Sequence, residues 1–309
     1  VTSSGPIISD QLRNGEEYDA RREFPGWSEN GFDDSTWSAA MIIPGPGGVL
    51  DLLEMPPCRV LATIAPVSER INQNDTRILD FGHAISGWVR LRVRGEAGAR
   101  VEIRYAELPA AYGTNIDTSN INTYVSSGKF QTDAYTLAGR AAGEEWEPRF
   151  TYHGFRYVAI DCTGRIDRCE VEARYVHTDF TPSGAFSSSE PVLNRLWDCT
   201  LASYACNYVG IPTDCPHREK LGWTGDVSIA AETGLTLYKA ESGYRNWLRS
   251  LADAQRPSGQ LPSICPSSGW GYNSSSGSVW DSAFWSAAHA CWLYSGDDTM
   301  IREHFPQYL

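Results

Sequence analysis

Residues 214–226 read Asp-Cys-Pro-His-Arg-Glu-Lys-Leu-Gly-Trp-Thr-Gly-Asp. The stretch gathers three carboxylates (Asp214, Glu219, Asp226), an arginine (Arg218), a histidine (His217) and an indole (Trp223), broken by Pro216, Gly222 and Gly225. Carboxylates crowded beside one cation and one aromatic plate match the needs of glycosidic-bond cleavage. One acid keeps its proton for a leaving oxygen, others ionise to hold hydroxyls, and a ring stacks on the sugar face. The competing reading is a polar loop held by its own ion pairs, since structural networks also concentrate charge.

Working outward, residues 61–178 follow a period of two. Val89, Leu91 and Val93 alternate with Arg90, Arg92 and Arg94, and Val101, Ile103 and Tyr105 alternate with Glu102 and Arg104 after the turn at Gly95-Glu-Ala-Gly98. Phe155, Tyr157 and Val158, then Val171, Ala173 and Tyr175, continue the strand signals. Short strands, glycine-rich turns and no helical period predict an antiparallel β-sandwich. Residues 115–127 are polar and unpatterned, which predicts a long loop. Residues 1–60 carry short strand signals among turn formers such as Pro44-Gly45-Pro46-Gly47-Gly48.

After Pro182 the spacing becomes three and four. Ser189 as N-cap and Pro191 in the first turn, ahead of Val192, Leu196, Cys199, Ser203, Cys206 and Val209, predict a helix of about twenty residues running to Gly210. Further helices are expected over 227–238, 242–255 and 279–296, with a short one from Thr299, about five in all. Trp247, Leu251, Trp285, Ala288 and Trp292 fall on helical stripes and are expected on inward faces.

The phrase DCPHREKLGWTGD resembles the signature of bacterial and fungal α-L-rhamnosidases of glycoside hydrolase family 78. Family-like phrases accompany it in order: NGEEYDARREFPGW (14–27), LDFGHAISGWVRLRVRG (79–95), VEIRYAEL (101–108) and PRFTYHGFRYV (148–158). The resemblance implies a multidomain β and α chain: the tail of an N-terminal β domain or arm (1–60), a β-sandwich (61–180) and the first part of an (α/α)6 toroid (181–309). A toroid needs twelve helices, so the chain is expected to stop less than halfway round. The exposed flank would then associate with itself or require a further C-terminal segment.

By the same resemblance Glu219 is the general acid, and Asp214, Arg218 and Asp226 bind rhamnose hydroxyls or hold the acid. Chemistry adds that neighbouring carboxylates favour a proton on Glu219. Pairing with Arg218 would oppose this, so Arg218 is expected on Asp214 or a sugar hydroxyl. Trp223 serves as sugar platform or packing, and His217 as a loop histidine. Trp270, Tyr272, Trp280 and Trp285 surround Asp281 beside the flexible 273–278 run, making Trp280 and Asp281 the secondary contacts. The family inverts configuration, with a general base from a later glutamate. Glu232, Glu241 and Glu303 read as helix-surface residues, so the base is expected outside this chain.

The implied substrate is a rhamnose-containing glycoside, with a non-catalytic carbohydrate-binding or scaffolding fragment, or a toroid glycosidase of other specificity, as the alternatives. A net charge of −12 disfavours nucleic acid and anionic membranes, while eleven tryptophans and fifteen tyrosines suit sugar faces. No stretch reaches membrane-span length, and the opening Val1-Thr-Ser-Ser-Gly is unlike a signal sequence. Eight cysteines without CxxC or zinc spacing predict no metal and no cofactor. Cys162 and Cys169 either face each other across a hairpin or stand as separate buried thiols.

Overall fold

The computed structural model describes residues 3–45, 47–121, 128–267, 271–273 and 277–309. The chain forms two compact units. One holds Val1–Leu52, Thr63–Ala84 and Trp88–Arg174, and the other holds Leu53–Ala62, Ile85–Gly87 and Tyr175–Leu309.

The first unit is built on β1 (Ile7–Gln11), β2 (Gly15–Asp19), β3 (Cys58–Ile64), β4 (Ser68–Ile71), β5 (Arg77–Gly95) and β6 (Arg100–Ala106). It continues with β7 (Leu108–Pro109), β8 (Ile116–Asp117), β9 (Thr132–Thr136), β10 (Glu144–Trp146), β11 (His153–Thr163) and β12 (Ile166–Thr178), although β3, β5 and β12 each run partly into the second unit. Neighbours in the main sheet follow the order β1-β2-β9-β6-β11-β5-β12, with β4 and β10 also pairing with β5. Most described pairs are antiparallel, and β2 with β9 is parallel. Alternation explains the central strands. Val89, Leu91, Val93, Val101, Ile103 and Tyr105 are buried. On the other side Arg90 meets Glu172, Arg92 meets Glu145 and Arg94 meets Asp167, so cross-strand charge pairs cover the wet face. Strand β11 departs from alternation. His153, Gly154 and Phe155 are buried in succession, as are Tyr157 through Ile160, because apolar neighbours cover both of its faces. The expected long loop at 115–127 is corrected at its start, where β8 pairs with β7 in a small two-stranded sheet. Residues 122–127 lie outside the described residues.

The second unit is helical: α1 (Pro191–Cys206), α2 (Thr224–Leu237), α3 (Glu241–Asp253), α4 (Gly277–Asp281), α5 (Ala283–Ser295) and α6 (Thr299–Tyr308), with a hairpin of β13 (Tyr208–Val209) and β14 (Ile211–Pro212) after α1. The first helix is shorter than its spacing predicts. Glu190 caps it rather than Ser189, its carboxylate accepting the Val192 N–H at 3.2 Å. It ends before Gly210, whose φ of +81° turns the hairpin instead. The single helix expected over 279–296 is divided at Ser282 into α4 and α5, and there the Ser282 hydroxyl bonds the Val279 carbonyl at 2.6 Å.

Helix α3 buries Tyr244, Trp247, Leu248 and Leu251 along one stripe, and the Trp247 indole donates to the Cys265 carbonyl at 3.1 Å. Helix α5 buries Phe284, Ala287, Ala288 and Cys291 against α2 and α3. Its small alanines admit close approach. Of the expected inward residues, Trp247, Leu251 and Ala288 are buried, whereas Trp285 (57% exposed) and Trp292 (43%) are corrected to the opposite side of α5. Seven residues apart, they share a face that the alanine stripe leaves outward.

Candidate active site

The loop between β14 and α2 is drawn closed at its neck by a reciprocal pair. The Asp214 N–H donates to the Leu221 carbonyl at 3.0 Å, and the Leu221 N–H donates to Asp214 Oδ1 at 3.0 Å. Within the neck the Lys220 N–H bonds the Cys215 carbonyl at 3.2 Å, and Lys220 takes a left-handed φ of 52°. Such a conformation is costly for lysine, and the surrounding hydrogen bonds hold it there. Cys215 organises the interior. Its thiol donates to Asp214 Oδ2 at 3.3 Å, and its sulfur accepts the Glu219 N–H at 3.3 Å.

Gly222 has a steric origin. A Cβ there would lie 2.1 Å from the Cys265 carbonyl oxygen, and the Cys265 N–H bonds the Gly222 carbonyl at 2.8 Å. Trp223 therefore runs beside Ile264 and starts α2 in a defined direction. Four residues after Glu219, its indole N–H reaches back to Glu219 Oε2 at 3.1 Å. The ring is thus a donor to the central carboxylate as well as an aromatic surface. Arg218 Nε lies 3.5 Å from Glu219 Oε1, so the expected pairing with Asp214 is corrected. Asp214 instead accepts the Leu221 N–H and the Cys215 thiol.

Burial pushes the Asp214 carboxyl up to about 6, against the Leu221 N–H and with help from the Glu219 charge. Asp226, in the first turn of α2, is raised by burial and then by Glu219, while its own backbone N–H opposes. Asp214 and Asp226 thus both feel the Glu219 charge. His217 is pushed down to about 4 by burial and by the charges of Arg218 and Lys220, so it is neutral near pH 7.

Asp214 and Asp226 line a cavity of about 710 Å³ together with Asn207, Thr213, Ser228 and Trp280. Trp280 packs on Gly225, where a Cβ would come within 2.6 Å of the indole. Its buried Nε1 has no hydrogen-bond partner among the described residues. Helix α4 therefore brings Trp280 to the loop from more than fifty residues away. Asp281 does not line the cavity, and burial raises its carboxyl. Tyr272 is engaged elsewhere: its hydroxyl bonds the Ala254 carbonyl at 2.5 Å and Arg256 sits 3.8 Å above its ring. Trp270 lies outside the described residues. Sequence reading missed Asn207, Thr213 and Ser228, whose residue types carry no signal until the chain folds. Among the described residues no group of three or more His, Cys, Asp or Glu is arranged to hold a metal ion, and no helix is long and apolar enough to cross a membrane.

Comparison with known proteins gives three consecutive family matches. Residues 1–62 match the α-L-rhamnosidase N-terminal domain, 70–177 the bacterial α-L-rhamnosidase concanavalin-like domain, and 181–309 the bacterial α-L-rhamnosidase six-hairpin glycosidase domain. An α-L-rhamnosidase of Streptomyces avermitilis is 35% identical over 98% of this chain and 29% of its own length. The structure of an α-L-rhamnosidase from Dictyoglumus thermophilum superposes with a TM-score of 0.91 at 34% identity, covering 99% of this chain and 34% of that one. The Streptomyces avermitilis enzyme, solved in complex with L-rhamnose, superposes with a TM-score of 0.87 at 32% identity, over 99% of this chain and 29% of that one. The chain spans about a third of the length of these relatives. Its sheet-rich first part followed by the opening helices of a six-hairpin glycosidase domain, with the matched phrases in one order, places it among them: the chain belongs to the α-L-rhamnosidase family.

Proposed function

We propose that the chain carries the acid-bearing side of a site that releases terminal α-L-rhamnose from rhamnosides with inversion. The observation that carries this reading is the position of Glu219. Its carboxylate is held by the Trp223 indole N–H, lies 3.5 Å from Arg218, and acts electrostatically on both Asp214 and Asp226. In this reading Glu219 protonates the glycosidic oxygen. Asp214, Asp226 and Trp280 hold the sugar in the cavity they line, and Trp223 aims the acid. Arg218, whose side chain is 44% exposed, swings from Glu219 to a sugar hydroxyl when substrate binds. Asp281 supports the rim from α4.

Inversion needs a second carboxylate about 6.5–9.5 Å from the acid, with room for water. Glu303 is taken up by Arg249 at 2.7 Å and Glu232 is exposed on α2, so neither is assigned that role. We further assign the domain bounds 1–60, 61–180 and 181–309, in keeping with the change from strand to helix period.

The reading is tested by hydrolysis of p-nitrophenyl α-L-rhamnoside beside a panel of other aryl glycosides, using this chain and any longer natural form. In an active form, Glu219→Gln lowers turnover of poor-leaving-group rhamnosides by about two to four orders of magnitude, the usual contribution of general acid catalysis. The activated aryl substrate suffers less. Undiminished hydrolysis of a natural rhamnoside by this variant removes Glu219 from the role.

A further inference from the structure

The phrase at 14–27 contributes nothing to the carboxylate loop, yet its side chains line a second cavity, of about 700 Å³, within the first unit. Tyr18 on β2, and Glu23, Phe24 and Trp27 after it, line this cavity together with Trp37 and with Arg140 from the turn between β9 and β10. The volume falls in the range of small-molecule clefts, about 300–1,000 Å³. Trp27 is 64% exposed and sits in a tight turn, where its N–H bonds the Phe24 carbonyl at 3.1 Å and Gly26 takes a φ of +76°. Trp37 packs on both Phe24 and Phe32, with ring centroids 5.4 and 5.6 Å apart. The cavity therefore combines one open indole with a braced group of rings.

Its polar groups are fixed by the sheet. The Tyr18 hydroxyl donates to Glu23 Oε1 at 2.9 Å, and the Arg140 guanidinium donates to Glu23 Oε2. Tyr18 is stacked in turn on Tyr135 of β9, with centroids 5.8 Å apart. Glu144 clamps the turn that carries Arg140: its carboxylate accepts the N–H groups of Ala138, Gly139 and Arg140 at 2.9, 2.8 and 3.1 Å and the Tyr135 hydroxyl at 2.8 Å. Glu23 and Arg140 thus stand as a paired acceptor and donor, both still partly in solvent. Adjacent sugar hydroxyls donate and accept at once and so match such a pair, while the C–H face of a pyranose matches an indole. A flat apolar ligand would strip water from the pair without replacing its hydrogen bonds. Glu29 adds a second carboxylate to the lining against the one guanidinium, which disfavours an anionic ligand.

We propose that this cavity is a second carbohydrate-binding subsite, which takes a neutral pyranose oligosaccharide with one ring on Trp27 and adjacent hydroxyls on Glu23 and Arg140. The subsite binds without cleaving. It shares no residue with the carboxylate loop, so it stands or falls independently of the function assigned to that loop.

The test labels the chain with 5-fluorotryptophan and follows its eleven indoles by fluorine NMR, with Trp27→Phe identifying the Trp27 resonance. Methyl α-L-rhamnoside, cellobiose and β-1,4-galactobiose are the neutral probes and α-1,4-digalacturonate the anionic one, each titrated into the millimolar range. A saturable shift of the Trp27 resonance with at least one neutral probe is expected, and none with the digalacturonate. In Glu23→Gln, which keeps the Trp27 label, the dissociation constant of that probe should rise about tenfold through loss of a charged acceptor. An unchanged constant would remove Glu23 from the subsite. Trp223→Phe and Trp280→Phe identify the indoles of the carboxylate loop and its cavity. Shifts confined to those two support the function assigned to that loop and overturn the second subsite, whereas a shift at Trp27 with both unmoved supports the subsite alone. A Trp27 resonance that no neutral probe moves, or that the digalacturonate moves equally, overturns the proposal. Trp27 is exposed, so its replacement leaves the packed core intact, and the titration of the parent chain decides the outcome even where another variant misfolds.

Discussion

At the scale of single residues, two side chains of the carboxylate loop respond to pH in opposite directions. Asp214 is pushed up from 3.8 to about 6. A raised pKa in the folded state contributes stability that is complete below the unfolded value and is lost as pH rises through about 6. His217 is pushed down from 6.5 to about 4. Stability is therefore kept above the unfolded value of 6.5 and lost as pH falls toward about 4. Between these limits the two slopes offset each other in the parent chain. Asp214→Asn should gain melting temperature relative to the parent as pH rises from about 4 to about 7, and His217→Gln should gain as pH falls through the same range. Thermal melts of the three proteins across that range check this, and parallel curves would refute it. Residue types singled this loop out as a candidate site, yet the partner of Arg218 was misjudged. Sequence order puts Arg218 beside Glu219 and four residues from Asp214 without saying which oxygens the backbone N–H groups have already claimed.

At the scale of elements, Asp133 ties four strands together. On β9, it accepts the Glu16 N–H of β2 at 2.9 Å and the Tyr105 hydroxyl of β6 at 2.6 Å, and it lies 3.1 Å from His153 Nε2 of β11. The Tyr105 ring stacks on the His153 ring with centroids 4.1 Å apart. All three side chains are fully buried, so removing the carboxylate orphans several buried donors at once. Asp133→Ala should cost about 3 kcal/mol or more in chemical denaturation, well above the typical effect of a point substitution. A cost under about 1 kcal/mol would show that the network is dispensable. Alternation in the sequence identified the strands, but nothing in Thr132-Asp-Ala-Tyr-Thr136 reveals a buried aspartate. Its partners lie 20 to 117 residues away.

At the scale of the whole molecule, the helical unit leaves large apolar side chains in solvent. Val192 and Leu196 on α1, Ile229 on α2, and Trp285 and Leu293 on α5 are all more than half exposed. Exposed apolar surface of this kind favours association in solution. Light scattering should show a mass that rises with concentration, and Leu196→Lys combined with Trp285→Lys should lower it toward the monomer. A single monomeric mass over the whole concentration range would sink this expectation.

What the sequence determined by itself was periodic or contiguous. The two-residue alternation of 89–105 specified strands with one charged face, and the three- and four-residue spacing of 242–255 specified a helix with one buried stripe. The thirteen residues 214–226 placed three carboxylates, an arginine and an indole in one contiguous stretch, a loop that runs into the first turn of α2. Each of these rests on neighbours in the chain and so survives without knowledge of the fold. Tertiary structure alone decided that Gly222 faces the Cys265 carbonyl and that Gly225 receives the Trp280 ring. Those contacts depend on the path of the intervening chain and on which donors and acceptors remain unclaimed once it has packed, and no local pattern of residues encodes either.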